Sequence, residues 1–158
     1  MMAEGTEVLI NDGGERQLVE ALAPGDTFFD QISGSRRKVV QVVCRRVEFG
    51  PAGAGAVDAG LRPVRLGECT VWKAGRQAET ILSRDQQMLF DPYDDGSHGM
   101  PLHATAEDLL IRGSALPAEL DQVRYFEFLT DEPGVLNANG HLLVTRAAVR
   151  LREASKAA

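Results

Sequence analysis

Nucleophilic or proton-transfer chemistry in this chain has few side chains to draw on: two cysteines, Cys44 and Cys69, and three histidines, His98, His103 and His141. A nucleophile needs a base within hydrogen-bond reach, and neither cysteine has a histidine beside it in sequence. Each lies in an apolar-rich stretch, where a thiol's pKa is raised and its reactivity falls, so both read as buried free thiols. No Cys-x-x-Cys pair exists, which excludes a zinc knuckle and a thioredoxin-type motif. His103, next to Pro101 and Leu102, reads as a packed or solvent-edge residue. His141 follows a turn and stands near no Cys or Ser.

The acidic loop from Asp91 to Gly99 is the one oxygen-rich cluster. Asp91, Asp94, Asp95 and His98 are weak candidates for a hard cation. Their spacing is not that of an EF-hand, and such residues are common in surface turns, so no metal and no cofactor is expected. Trp72, in Val71-Trp72-Lys73-Ala74-Gly75, reads as a partly buried packing residue.

These residues sit in a chain of 158 amino acids, the length of one domain with a sizeable core. Hydrophobic residues make up 44% and aromatics only 6%, so the core must rest on Val, Leu, Ile and Ala. The formal net charge of −6 repels phosphate backbones, and no nucleic-acid partner is expected. Arg36, Arg37, Lys38, Arg45 and Arg46 are read as solvating a strand face. No apolar stretch is long enough to span a bilayer, and the opening MMAEGTEVLI lacks the basic region of a signal peptide. The expectation is a soluble, cytoplasmic monomer or small homo-oligomer with no membrane association.

Short strands separated by Gly, Pro and Asp turns run the length of the chain. Glu7 to Ile10 leads into Asn11-Asp12-Gly13-Gly14, a hairpin signal. Gln17 to Leu22 has helical spacing for a turn or two and stops at Ala23-Pro24-Gly25-Asp26. Thr27 to Phe29 resumes a strand, and Lys38 to Phe49 is the longest β-rich run. In that run Val40, Val42 and Cys44 fall on one face, with Val39, Val43 and Val47 on the other. The Gly/Ala stretch 50–60 predicts a flexible internal loop. Further strands are predicted at Leu61 to Leu66, Glu79 to Leu82, Gln87 to Phe90 and Val123 to Leu129. Thr105 is placed to cap a short helix, Ala106 to Arg112, ended by Gly113. Val135-Leu136 and Leu142 to Val144 flank the turn Asn137-Ala138-Asn139-Gly140, and a half-exposed strand is read over 147–152. Strands at this spacing indicate an all-β sandwich or barrel-like fold, one domain over 1–153 with a frayed tail at 154–158.

The order of these signals resembles the bacterial Hint family, whose fold is shared by inteins and hedgehog autoprocessing domains. Gly5-Thr6 and the strand after it, then Val19-Glu20-Ala21-Leu22-Ala23-Pro24-Gly25-Asp26, look like the family's opening. Leu61-Arg62-Pro63-Val64-Arg65-Leu66 is similar to its Leu-Arg-Pro-Val-Arg-Ile strand. Leu82-Ser83-Arg84-Asp85-Gln86-Gln87-Met88-Leu89 is similar to its Leu-x-Ser-Pro-x-His-x-Met-Leu block. Tyr125 to Gly140 matches the closing segment, so the likeness runs from Gly5 to about Arg146. It implies an all-β Hint-type curved horseshoe with pseudo-two-fold symmetry and one or two short helices.

The resemblance also implies which positions would carry self-cleavage. A Cys or Ser attacks the carbonyl before it, while other groups polarise the amide and protonate its nitrogen. The nucleophile position falls on Met1, whose thioether forms no acyl intermediate and which, as residue 1, has no upstream bond in this sequence. Thr6 and Ser83 keep framework positions. The family His becomes Gln86, which can hydrogen-bond but moves no proton near neutral pH. A later family His falls on Pro133, and Thr145-Arg146 stand where inteins end in His-Asn. The reading is a degenerate Hint domain with no intact catalytic set, serving as a structural or partner-binding module. Its partner is an unknown protein or a formerly fused domain. The competing readings are a self-cleaving domain with a truncated or misassigned start, and a metal-binding domain using the 91–98 loop.

Overall fold

The structure, a computed structural model, describes residues 1–49, 58–67, 78–90 and 102–148. Thirteen strands in this set join in one continuous hydrogen-bonded network. In chain order they are β1 (Met2–Ala3), β2 (Glu7–Leu9), β3 (Arg16–Leu18), β4 (Thr27–Phe29), β5 (Arg36–Glu48), β6 (Pro63–Leu66), β7 (Thr80–Ser83), β8 (Gln87–Phe90), β9 (Leu102–Thr105), β10 (Leu116–Pro117), β11 (Gln122–Thr130), β12 (Gly134–Ala138) and β13 (His141–Ala147). One α-helix among the described residues, α1 (Ala106–Ile111), and two 3₁₀ turns, Val19–Ala21 and Ala59–Leu61, complete them. No helix here is long and apolar enough to cross a membrane.

Turn chemistry sets the hairpins. Asn139 (φ 52) and Gly140 (φ 92) both take the left-handed conformation that a two-residue type I′ turn demands. The turn is therefore tighter than the four residues read from sequence: Asn137 and Ala138 stay in β12, and Ala138 faces His141 across the ladder. Thr105 caps α1 as expected. Its hydroxyl accepts from Asp108 N, and the Asp108 carboxylate accepts from Thr105 N, a full capping box.

The long strands form the frame. β5 and β11 pair antiparallel from Gln122↔Glu48 to Thr130↔Val39, with a bulge between Leu129 and Thr130. β11 then runs parallel to the end of β13 through Leu129↔Arg146. β1 lies between β7 and β11, with Met2 opposite both Leu82 and Phe126. In the strand order β10-β6-β7-β1-β11-β13-β12-β2-β3 this two-residue strand joins β7 to β11. The main core includes Phe28, Leu66, Leu82, Leu109, Phe128 and Leu136, and a smaller cluster gathers Met1, Val47, Leu61, Val123 and Tyr125.

Three sequence expectations need correction. Gln17 to Leu22 is not a helix. Arg16–Leu18 pairs with β2 and only Val19–Ala21 makes a 3₁₀ turn, because ladder bonds to β2 outweigh a helical pattern too short to propagate. β5 packs on both faces for part of its length, Val42 against the main core and Val47 in the smaller cluster, but the faces are not grouped as read: Val40 and Cys44 are exposed, and the bulge at Val40 shifts the alternation. Cys44 is accordingly a free thiol, as read, but an exposed one. The residues 50–57 of the Gly/Ala stretch, the segment 149–158, and Cys69, Trp72, Asp91, Asp94, Asp95 and His98 lie outside the described residues. Gly60 belongs to the 3₁₀ turn Ala59–Leu61.

Candidate functional site

Three of the residues that match the family motif, Met1, Ser83 and Gln86, converge although they are far apart in the chain. Met1 is carried by β1 into the junction of β7, β8, β11 and β13. Its α-amino nitrogen donates to Ser83 Oγ at 2.8 Å and to Gln86 Oε1 at 2.6 Å. Its carbonyl accepts from Ser83 N at 2.9 Å. Met1, Ser83 and Gln86 are all buried. The sequence-predicted trio therefore meets in space, although more than 80 residues separate Met1 from the other two, the hydrogen bonds spanning 82 and 85 positions.

Each partner is held in turn. Ser83 ends β7 and Gln86 follows a tight turn in which Gln86 N donates to Ser83 O at 3.0 Å. Ser83 Oγ donates to Asp85 Oδ1 at 2.5 Å. Gln86 Nε2 donates to Gln87 O at 2.6 Å and to Val144 O at 3.2 Å. Those two carbonyls fix the amide's orientation, since the flipped form would set Oε1 against acceptors. The Gln86 oxygen is therefore the atom that faces the nitrogen of residue 1.

Asp85 is exposed at the rim, and Glu127 of β11 pairs with Arg146 of β13 through a short ion pair. Burial lowers the Met1 α-amine from 8.0 to about 6; the charges of Asp85 and Glu127 pull the other way, and Arg146 adds to the lowering. A cavity of about 10 Å³, room for roughly one water, opens beside Gln86, Glu127, Thr145 and Arg146.

The other predicted positions lie elsewhere. Thr6 is buried, but its hydroxyl donates to Ala3 O at 2.7 Å and its carbonyl accepts from Val19 N, which fixes the turn after β1. Pro133 is exposed in the loop between β11 and β12. Thr145 is buried, and its hydroxyl bonds Gly134 and Thr130, so it closes the β12–β13 pair. His103 is exposed on β9. His141 is fully buried; its Nε2 lies 3.2 Å from Ala78 O, and its Nδ1 has no hydrogen-bond partner among the described residues. Burial lowers its pKa, partly offset by the Ala78 bond. Among the described residues no group of three or more His, Cys, Asp or Glu side chains is placed to hold a metal.

Sequence reasoning passed over Asp85, Glu127 and Val144, which complete the cleft. Asp85 alone left a trace, standing between Ser83 and Gln86 in the block that resembles the family motif. Glu127 and the Val144 carbonyl reach the cleft through strand pairing that no local pattern encodes.

The fold and cleft define an intein-like class of protein, and comparison with known proteins agrees. The Hint domain family profile matches residues 2–145, so the chain belongs to the Hint domain family. Among solved structures it is similar to the MchDnaB-1 intein, at 12% identity and a TM-score of 0.52, covering 92% of this chain and 100% of that one. A variant of the same intein gives 14% identity and 0.52, covering 94% and 100%. The bacterial intein-like domain from Clostridium thermocellum gives 12% identity and 0.48, covering 92% and 97%. No curated protein matches. At these identities the likeness is one of fold, and it bears out the expected all-β Hint architecture.

Proposed function

We propose that this chain is a Hint-fold module that does not cleave itself and acts as a structural or partner-binding domain. The observation that carries this reading is the locked amide of Gln86. Breaking the peptide bond before residue 1 requires a proton on the departing nitrogen. At that nitrogen the cleft offers Gln86 Oε1, an acceptor with no proton to give, and Ser83 Oγ, whose hydrogen is engaged with Asp85. The side chain at residue 1 is a thioether, which forms no acyl intermediate. Framework contacts persist while the groups for acyl and proton transfer do not.

The second reading, a self-cleaving domain, draws on the placement of residue 1 itself, where a nucleophile in an extended chain would act. The test is to express the chain behind a short upstream tag with Met1→Cys and to follow intact mass with and without a strong thiol. The tagged protein is expected to keep its full mass under both conditions. Release of the tag at residue 1 would overturn the inactive reading.

A further inference from the structure

The turn between β12 and β13 is fastened to two distant parts of the chain. Asn139 N donates to Glu7 O and its Oδ1 accepts from Glu7 N, both at 2.8 Å. Its carbonyl accepts from Ala78 N at 2.9 Å, and its Nδ2 donates to Glu79 O at 3.1 Å. His141 adds a bond from Nε2 to Ala78 O at 3.2 Å. Glu7 and Glu79 take part through their backbones, so His141 is the titratable side chain of this set. The Ala78 carbonyl, which also accepts from Thr80 Oγ1 at 3.1 Å, has no hydrogen to give. Nε2 therefore carries the hydrogen of the neutral ring and Nδ1 its lone pair. The ring is fully buried, and Nδ1 has no hydrogen-bond partner among the described residues. A proton on Nδ1 sets a charged donor against no acceptor at a position closed to solvent, which costs more than a bare lone pair.

We propose that His141 is an acid-operated latch: a proton taken from solvent onto Nδ1 turns the ring into a buried cation, and the β12–β13 turn lets go of residues 78–79. The ionisable groups of the surrounding elements offer that cation no partner. β7, β8 and β12 carry none. Glu79, next to Ala78, is exposed and pairs with Arg65 at 3.6 Å. Glu7 of β2 and His103 of β9 are exposed. Arg16 of β3 bonds Asn137 at 3.4 Å, and Arg146, on the same strand as His141, pairs with Glu127. Among the described residues burial is the largest influence on the ring and holds its pKa below the usual value, with the Ala78 bond offsetting part of it. Residues 78–79 lead into β7, which ends at Ser83, so release loosens the entry to a strand that lines the cleft. The latch uses no atom of residue 1 and is independent of the non-cleaving reading.

Its test follows the ring and the latch separately in the full chain. Isotope-labelled histidine is titrated by NMR, and His141 is assigned with His141→Gln, whose amide keeps a donor for Ala78 O and takes no proton. The unmodified protein is expected to show the Nε2–H tautomer at neutral pH and a midpoint below the ordinary 6.5. Hydrogen exchange of the Ala78 amide, far below the denaturing urea concentration, reads the latch. A ring that stays neutral while latched, and takes its proton at about 6.5 once released, lowers that protection about tenfold between pH 7.5 and pH 5.5. The comparison is with His141→Gln, after correction for intrinsic exchange. A midpoint at 6.5 or above, an Nδ1–H tautomer, or the same loss of protection in both chains overturns the latch. Should His141→Gln not fold, the unmodified protein decides, and protection of Ala78 that stays level across this range overturns the latch. None of these outcomes bears on tag release at residue 1.

Discussion

Asp30 ties three elements together, and its replacement gives the clearest test of how this framework is held. The side chain is 4% exposed. It accepts from Ile32 N at 3.0 Å, Ser33 Oγ at 2.8 Å, Arg37 Nε at 3.1 Å and, across the fold, Val135 N at 3.3 Å. Burial works to raise its pKa, but the hydrogen bonds from Ile32, Ser33, Val135 and Arg37 outweigh it and hold the carboxyl below its usual value. Asp30→Ala removes the acceptor of the Ile32, Ser33 and Val135 N–H groups and one of the two carboxylate partners of Arg37. Breaking such a buried pair costs about 3–5 kcal/mol. Arg37 keeps its bond to Glu132, which places the loss at the lower end, about 3 kcal/mol. For a domain of this size that lowers Tm by about 6–12 °C. Asp30→Asn retains an acceptor for the backbone and is expected to lose about half as much. The assay is urea unfolding followed by far-UV circular dichroism, with the m-value checked for constancy. Because the folded-state pKa is depressed, the wild-type advantage is present above the unfolded pKa near 3.8 and disappears as pH falls through the lower folded value. A loss below about 1 kcal/mol at neutral pH would refute the reasoning, as would additive effects in the Asp30→Ala, Arg37→Ala double-mutant cycle.

Two further predictions follow from the described contacts. Thr105→Ala removes the hydroxyl that accepts from Asp108 N and is expected to destabilise by about 1 kcal/mol, while Thr105→Ser restores most of it; equilibrium unfolding measures both. Cys44 is exposed, so in a Cys69→Ser background a thiol reagent added to the native protein is expected to label Cys44 in a fast phase, and labelling only on unfolding would be contrary to the structure.

Much of the fold was legible because its signals are local. The hairpin turn at Asn137 to Gly140 and the Thr105 cap are readable from local chemistry, although only the ladder shows that Asn137 and Ala138 stay in β12. The errors share a cause. Gln17 to Leu22 carries a helical spacing that cannot outbid a partner strand, and β1, β3, β9 and β10 are strands of two to four residues with no periodicity to read. Cys44 shows the same limit: alternation assigns it to a face, but only the packing of β5 against its neighbours decides that the face is open to solvent.

At the site, the sequence determined the side chains available: a thioether at residue 1 and an amide at residue 86 are fixed by residue identity alone. Tertiary structure decided how they meet. Residue 1 reaches Ser83 and Gln86 only because β1 slots between β7 and β11. The Gln86 oxygen faces its nitrogen only because the Val144 carbonyl, 58 residues further on, shares the amide's hydrogens with Gln87. Hydrogen bonds between segments so far apart depend on strand register, and register is settled by the packing of the whole sheet rather than by any local run of residues.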